Sequence, residues 1–377
     1  MSTAYPSATP GPSALDGLRE LAARHPGGVI DCMLGTPCDA VPAFVTAAVR
    51  DAVAQSGPYP MSPGAPRLRG AAGDWINQRF ATDISVEQVA ACIGTKEFVA
   101  SVALHLGLLG ESSRDTVLYP SVAYPTYAVG AMFAGCRAVA VPVDDNWLLD
   151  LDAIDPDDVR RARLLWLNVP GNPTGSTADL AHFERVAEWG RRHGVVVVSD
   201  ECYVDFAPEP HSILEAGSEG VLAIFSLSKR SNFAGMRAGF YAGDSQIVAG
   251  LIALRREAGM MLPTPIQAAA AAALGDHNHV QTQCKIYERR RSLCLDRLAT
   301  HGIRHRGGAM PMYLWLRSDS NEVSGFELAE QFARAGWLVA PGAMFGSAGN
   351  DFVRIALVQP DGVLETALNR FDAVCLP

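Results

Sequence analysis

Short apolar runs alternate along the chain with segments whose apolar residues recur every three or four positions. The runs QVAACI, TVLYP, RAVAVPV, RLLWLNV, VVVVSD, VLAIFSL and GFYAG are typical of buried strands, whereas DLAHFERVAEWGRRHG is typical of an amphipathic helix. Strands that are apolar almost throughout need helices on both faces of their sheet. Residues 46–275 are therefore predicted to form a large, mostly parallel α/β domain.

The order of elements changes after the alanine-rich helix TPIQAAAAAALG. A long amphipathic helix, HVQTQCKIYERRRSLCLDRLATHG, is followed by the strand-like segments MYLWLR, GWLVAPG and DFVRIALV and by further helices. This order predicts a smaller α+β domain over residues 276–377. Residues 1–45 are predicted to form an N-terminal arm, a helix with Ser13 as its N-cap, and part of the small domain.

The composition is that of a globular protein with a sizeable core, since 49% of the residues are apolar and 19% are charged. The 31 basic and 40 acidic residues give a net charge of -9, and no basic block occurs, which argues against a nucleic-acid partner. No apolar stretch approaches the length of a membrane span, and MSTAYPSATPGPS has no feature of a signal peptide. We expect a cytoplasmic protein with small-molecule partners and no membrane partner.

The cysteines show no CxxC pair and no metal-ligand spacing, and several lie in apolar runs, which favours buried, reduced thiols over disulfides or a zinc site. They are Cys32, Cys38, Cys92, Cys136, Cys202, Cys284, Cys294 and Cys375. His277 and His279 lie in the polar segment GDHNH without a third ligand, and we expect solvated histidines there. No metal is predicted.

Polar residues follow several of the predicted strands. Asp200 ends VVVVSD, with Tyr203 three positions later, and Asn172 lies in the turn after RLLWLNV. The run FSLSK ends with Ser226, Ser228 and Lys229. Because ligands of open α/β sheets bind at the carboxyl ends of the strands, these side chains are predicted to share a site.

The segment CIGTKEF passes from a strand into a helix at Gly94 and Thr95. The free N–H groups and the dipole of a helix start favour an anion, to which Ser226 and Arg237 add a hydroxyl and a guanidinium. A lysine beside such a phosphate cradle, with an aspartate on a neighbouring strand end, is the arrangement that holds pyridoxal phosphate. The lysine forms the imine and the aspartate keeps the ring nitrogen protonated.

Five separated motifs resemble, in order and spacing, those of the fold-type-I, class I/II pyridoxal-phosphate aminotransferases. They extend from MLGTPCD through NVPGNPTG, SDECY and SLSKRSNFAGMRAGF to FVRIAL, almost the whole chain. The resemblance implies a mostly parallel, seven-stranded sheet between helices plus a small α+β domain. It also implies an enzyme that moves an amino group between an amino acid and a 2-oxo acid.

Residue roles follow from the same resemblance. Lys229 would form the Schiff base and shuttle the proton, Asp200 would pair with the pyridine nitrogen, and Tyr124 would stack on the ring. Asn172 and Tyr203 would hydrogen-bond the ring oxygen. The phosphate contacts would be Gly94, Thr95, Lys96, Ser226, Ser228 and Arg237.

Arg354 matches the arginine that grips the substrate carboxylate, with Gly35 and Asn172 closing the pocket. Tyr59 would reach the phosphate of a neighbouring subunit, which implies a homodimer with shared active sites. For Lys96, a phosphate contact, a distal substrate carboxylate and a helix surface all remain open. We expect Arg230, Arg255 and Arg256 to lie on a solvated face rather than to form a cluster that binds a succinyl group.

Within the family, GTKEF, YPTYAVGAMFAG, REAGMMLPTPIQ and VAPGAMFG are most similar to the actinobacterial N-succinyldiaminopimelate aminotransferase branch, in which glutamate is the amino donor for lysine and cell-wall synthesis. Met236, Pro311 and Met312 depart from that pattern near the expected pocket. Another amino-acid substrate, as in secondary metabolism, and a pyridoxal-phosphate-dependent β-lyase are the alternatives. A binding or regulatory module is disfavoured because the whole catalytic set is present.

Overall fold

The computed structural model describes residues 12–110 and 113–374. The first eleven residues of the predicted arm and Cys375 lie outside the described residues. The strands are β1 (Ile30–Asp31), β2 (Val89–Cys92), β3 (Thr116–Pro120), β4 (Arg137–Val141), β5 (Ala162–Asn168), β6 (Val196–Asp200), β7 (Val221–Ser226), β8 (Gly239–Gly243), β9 (Ile303–His305), β10 (Tyr313–Ser318), β11 (Trp337–Leu338), β12 (Ala340–Pro341) and β13 (Val353–Ala356).

The α-helices cover much of the remaining chain. They are α1 (Pro12–Ala23), α2 (Ala43–Ala52), α3 (Pro66–Phe80), α4 (Thr95–Leu109), α5 (Thr126–Phe133), α6 (Pro156–Arg161), α7 (Leu180–His193), α8 (Leu227–Arg230), α9 (Ser245–Glu257), α10 (Thr264–Leu274), α11 (Asn278–Ala299), α12 (Gly325–Arg334) and α13 (Asp361–Val374). Helix α1 begins one residue before the predicted N-cap, because proline is favoured in the first helical turn.

A seven-stranded sheet, called the large sheet, has the order β2-β8-β7-β6-β5-β3-β4. Its strand pairs are parallel except for those of β8, which runs antiparallel to β2 and β7. Successive residues of its strands pack in two separate cores, for example Leu165 in one and Trp166 in the other. Helices therefore cover both faces, and the predicted α/β fold with a mostly parallel seven-stranded sheet is confirmed.

The C-terminal part of the chain contains a four-stranded antiparallel sheet, called the small sheet, with the order β12-β13-β10-β9. Strand β1 pairs in parallel with β11, and Leu18 and Ala22 of α1 share the third core with the small sheet. The N-terminal segment thus packs with the C-terminal part of the chain. The division of the chain into an N-terminal segment, a large domain and a small domain, with boundaries at residues 45 and 275, stays a prediction.

Two observations bear on membranes and metals. No helix in residues 12–110 and 113–374 is both long and apolar enough to cross a bilayer. In the same ranges, no group of three His, Cys, Asp or Glu side chains is placed to hold a metal ion, and the cysteines are free thiols. The expectation of solvated histidines is wrong for His279, because its Nδ1 pairs with Asp276 at 2.6 Å and its side chain is only 11% exposed.

Candidate active site

The start of α4 forms the anion cradle. Gly94, between β2 and α4, has φ +72°, and a Cβ at this position would overlap the guanidinium of Arg237. Only glycine combines this backbone conformation with such a close approach. Arg237 therefore lies against the first turn of α4, where backbone N–H groups are free to bind an anion.

The second side of the cradle comes from the end of β7. The Oγ of Ser226 accepts the N–H of Ser228 at 3.1 Å and starts the short helix α8. Arg237 itself has φ +58°, a strained conformation for a residue with a side chain, and its Nη1 donates to the carbonyl of Ala234 at 2.8 Å. Strain of this kind is retained where the surrounding structure holds a functional group in place.

Lys229 extends from α8 into a cavity of about 640 Å³. Its Nζ donates to the carbonyl oxygen of Gly35. Burial, with the positive charges of Arg354 and Arg237 nearby, lowers the pKa of Lys229 to about 8. A substantial fraction of the amine is therefore neutral near physiological pH and able to attack a carbonyl carbon.

Asp200, at the end of β6, presents a buried carboxylate to the same cavity. Its Oδ2 accepts the hydroxyl proton of Tyr127 at 2.8 Å, and its Oδ1 accepts the N–H of Cys202 at 3.2 Å. Burial raises the pKa of Asp200, and no cation among the described side chains offsets this effect. A protonated ring nitrogen is the cation that this carboxylate lacks.

Asn172 and Arg354 form the wall beyond Lys229. The Nη1 of Arg354 donates to Oδ1 of Asn172 at 2.7 Å, and its Nη2 donates to the carbonyl of Met33. The Nε of Arg354 is buried and has no hydrogen-bond partner within the described residues. An unsatisfied, buried guanidinium N–H is suited to a substrate carboxylate.

The structure brings nearly all of the predicted site residues to this cavity. Lining it are Gly35, Thr95, Lys96, Tyr124, Asn172, Asp200, Tyr203, Ser226, Ser228, Lys229, Arg237 and Arg354. Gly94 lies behind Arg237. Tyr59 is 93% exposed and does not line the cavity, so its predicted role in a neighbouring subunit stays a prediction.

The expectation of a solvated arginine face is wrong for two of its three members. Arg230 pairs with Asp205 at 2.8 Å, and Arg255 pairs with Glu97, with both guanidinium groups buried against aromatic rings. Only the side chain of Arg256, 64% exposed, matches the expectation. A buried arginine is stable here because a carboxylate from a distant segment meets it.

Three of the cavity-wall residues that are absent from the sequence prediction contact predicted site residues. Tyr127 holds Asp200, Asn168 donates to the carbonyl of Asp200 at 2.9 Å, and Tyr313 contacts Tyr203. Tyr127 lies three positions after Tyr124, at helical spacing, which is a signal that could have found it. No local sequence pattern indicated Asn168 or Tyr313.

The three residues that depart from the family pattern, Met236, Pro311 and Met312, do not line the cavity. Met236 is 44% exposed and Met312 is fully buried in the core of the small sheet. Neither side chain lines the cavity, although Tyr313, next to Met312, does. Neither methionine side chain is therefore placed to contact a molecule bound in the cavity.

The donor set fits pyridoxal phosphate. The α4 cradle with Ser226 and Arg237 suits the phosphate, Asp200 suits the ring nitrogen, and the low-pKa amine of Lys229 suits the aldehyde. The Nε of Arg354 remains for a carboxylate.

Comparison with known proteins shows which family the chain resembles. The chain matches the family described as aminotransferase class I and II over residues 31–371. It is 40% identical to a probable aminotransferase from Mycobacterium tuberculosis, over 93% of this chain and 82% of that protein. It is 36% identical to the 4-dedimethylamino-4-oxo-anhydrotetracycline transaminase OxyQ from Streptomyces rimosus, over 93% and 95%. A solved structure of a probable N-succinyldiaminopimelate aminotransferase from Thermus thermophilus aligns with a TM-score of 0.86 at 30% identity, covering 96% of this chain and 99% of that one.

Proposed function

This chain belongs to the class I and II aminotransferases, which depend on pyridoxal phosphate, and we propose that it moves an amino group between N-succinyl-LL-diaminopimelate and 2-oxoglutarate. The observation that carries the proposal is the convergence of the Lys229 amine, the Asp200 carboxylate and the Arg354 guanidinium on a single cavity. Asp200 and Lys229 would hold pyridoxal phosphate and Arg354 would hold the carboxylate of each substrate, so that the net reaction moves an amino group from an amino acid to a 2-oxo acid.

In this proposal each side chain has one task. Bound pyridoxal phosphate supplies the electron sink for the bond that breaks at the substrate α-carbon. Arg354 grips the α-carboxylate and so orients the Cα–H bond. Lys229, held near Gly35, accepts and returns the proton, and Asp200 keeps the ring nitrogen charged.

The substrate assignment rests on Lys96 and on the similarity to the probable N-succinyldiaminopimelate aminotransferase from Thermus thermophilus. Lys96 lies in the first turn of α4, is exposed, lines the cavity and makes no ion pair with any described residue. A substrate with a second carboxylate, such as a succinylated diamino acid or glutamate, provides the missing anion.

A second candidate is an aminotransferase that acts on a larger, less polar carbonyl compound. The 36% identity to the transaminase OxyQ extends over 95% of that protein. Apolar side chains also form part of the cavity wall, namely Met33, Leu34, Met344 and Phe345. A β-lyase of the same fold is the third possibility, because elimination starts from the same substrate complex.

Half-reactions separate these candidates. The purified, cofactor-loaded protein is mixed in turn with N-succinyl-LL-diaminopimelate, glutamate, other amino acids and a cysteine conjugate, while the absorbance of the lysine-bound cofactor is followed. Conversion to the amine form by the first two compounds supports the proposal. Conversion by other compounds only contradicts the substrate assignment, and pyruvate with ammonia from the conjugate indicates a lyase.

Lysine variants test the site itself. Lys229→Ala is expected to lose the lysine-bound absorbance and to lower turnover by roughly 10³-fold or more. Lys96→Gln is expected to raise the KM for the succinylated substrate about tenfold and to leave the KM for alanine unchanged. Lys285→Gln, on the exposed face of α11, is the matched control.

We propose further that the enzyme is a homodimer in which Tyr59 completes the site of the partner subunit. Hybrid dimers of Tyr59→Phe and Lys229→Ala chains provide the test. If Tyr59 acts across the interface, each hybrid has one intact site, and activity exceeds that of either variant alone. If Tyr59 acts within its own chain, the hybrid has no intact site and gains nothing.

A further inference from the structure

Two buried tyrosines from distant parts of the chain meet in the wall of the candidate site. The phenolic oxygens of Tyr203 and Tyr313 lie 3.0 Å apart, although 110 positions separate them. Tyr203 follows β6 of the large sheet, whereas Tyr313 begins β10 of the small sheet. Both rings are at least 93% buried, and both line the cavity that contains Lys229.

Tyr313 also contacts the carboxylate-binding side of the site. The guanidinium carbon of Arg354 lies 4.6 Å from the Tyr313 ring centroid and 4.8 Å from that of Phe345. Two aromatic rings therefore contact this cation. Its Nη1 donates a hydrogen bond to Asn172, and its Nε has no hydrogen-bond partner among the described residues. Such contacts fix the plane of a guanidinium as well as stabilise its charge.

A third contact reaches the segment that holds the catalytic amine. A Cβ on Gly35 would overlap the hydroxyl of Tyr313, and the carbonyl of Gly35 accepts the Nζ of Lys229. The absence of a side chain at Gly35 is therefore what lets Tyr313 approach. Tyr313 therefore contacts three parts of the site: Tyr203, which is predicted to bind the ring oxygen, Arg354 at the carboxylate site, and Gly35, which accepts a hydrogen bond from Lys229.

We propose that Tyr313 is a positioning residue that strengthens the hydrogen bond from Tyr203 to the cofactor ring oxygen and holds Arg354 ready for the substrate carboxylate. A phenol has one proton, so when Tyr203 donates it to the ring oxygen, its own oxygen accepts the proton of Tyr313. Hydrogen bonds in such a chain polarise one another. Burial raises the pKa of both hydroxyls, which keeps both protons in place at ordinary pH.

The first test uses Tyr313→Phe, which removes the hydroxyl and keeps the ring. In the cofactor-loaded protein without substrate, the pH titration of the lysine-bound absorbance is expected to shift upward by about half to one pH unit, because Tyr203 donates less strongly to the ring oxygen. The KM for the amino donor should change by less than about twofold, since the ring still supports Arg354. An unshifted titration overturns the proposed coupling to Tyr203.

The second test uses Tyr313→Leu, which removes both the hydroxyl and the ring. The same titration shift is expected, now with a KM raised about three- to tenfold and a smaller change in kcat. An unchanged KM overturns the proposed support of Arg354. If this variant melts far below the wild type, Tyr313→Phe, with nearly the same shape, still decides the first point.

Tyr287→Phe is the matched control. Its hydroxyl is also buried but has no hydrogen-bond partner among the described residues, so its removal should move neither the titration nor the KM. A shift in this control equal to that of Tyr313→Phe contradicts a specific role for Tyr313. Because the titration needs no substrate, its outcome is independent of the proposed N-succinyl-LL-diaminopimelate specificity.

Discussion

Arg354 donates a hydrogen bond to Asn172 over 2.7 Å, although 182 positions separate the two residues along the chain. Arg354 lies on β13 of the small sheet, and Asn172 lies in the turn after β5 of the large sheet. The pair therefore joins the two parts of the molecule directly at the candidate carboxylate site. A bound carboxylate would lie at this junction, in contact with both parts.

Replacement of Arg354 by lysine tests the carboxylate role. Lysine keeps the positive charge but cannot donate in parallel to Asn172 and a carboxylate, so we expect kcat/KM for the amino donor to fall by about 10²-fold or more. Most of the loss should appear in KM. Steady-state kinetics measure it, with Arg256→Lys on the exposed side of α9 as the control. A loss confined to kcat would contradict a role in binding.

The lowered pKa of Lys229 predicts how cofactor uptake depends on pH. Only the neutral amine attacks the aldehyde, and its fraction rises with pH until the pKa of about 8 is passed. The rate of cofactor binding to the apo-protein should therefore rise from pH 6 and level off above about pH 8. Stopped-flow absorbance measures this rate. A continued rise towards pH 10 would indicate an unperturbed lysine.

Gly94→Ala tests the close approach at the cradle. The new Cβ would overlap the Arg237 guanidinium at a backbone conformation with φ +72°, so Arg237 must move away from the phosphate site. The dissociation constant for pyridoxal phosphate is expected to rise about tenfold or more. Gly70→Ala, within α3 and with open space around the new Cβ, is the control. Equal affinities of the two variants for pyridoxal phosphate would show that the close approach of Arg237 to Gly94 does not matter for cofactor binding.

Glu201 predicts a pH dependence of stability. It is 1% exposed, and burial raises its pKa to about 8 from 4.5. Between these values the unfolded chain ionises while the folded protein keeps the proton, so the free energy of unfolding falls as pH rises from 4.5 to 8. Each pKa unit of the difference is worth about 1.4 kcal/mol.

Glu201→Gln should remove this dependence. Urea unfolding of the wild type and the variant, measured from pH 5 to 8, should show the wild type losing stability relative to the variant as pH rises. Glu257→Gln, whose side chain is 74% exposed in the wild type, should track the wild type. Parallel curves for Glu201→Gln and the wild type would show that the carboxyl is not held neutral.

Local features predicted much of the site. The turn at Gly94, the strand ends at Asp200 and Ser226, and Lys229 after FSLSK are each defined within a few residues. The parallel arrangement then brings the strand ends to one edge of the sheet, because the carboxyl ends of parallel strands share an edge. The cradle and the lysine site were therefore predictable before any contact was known.

Other features depend on partners far along the chain. Nothing near Arg230 or Arg255 in the sequence predicts that Asp205 and Glu97 neutralise them in the interior. The contact of Tyr313 with Tyr203 likewise needs the small sheet to pack against the large one. Charged and hydroxyl groups are buried only where a partner meets them, and that partner is set by packing.

The sequence by itself determined the alternation of strands and helices, the glycine turn of the cradle and the order of the motifs, because these depend on hydrophobic period and backbone conformation within short segments. Only the tertiary structure decided which side chains became buried and paired. It brought Arg354 to Asn172, Tyr313 to Tyr203 and Gly35 to Lys229, contacts whose pairing depends on how two sheets and their helices pack.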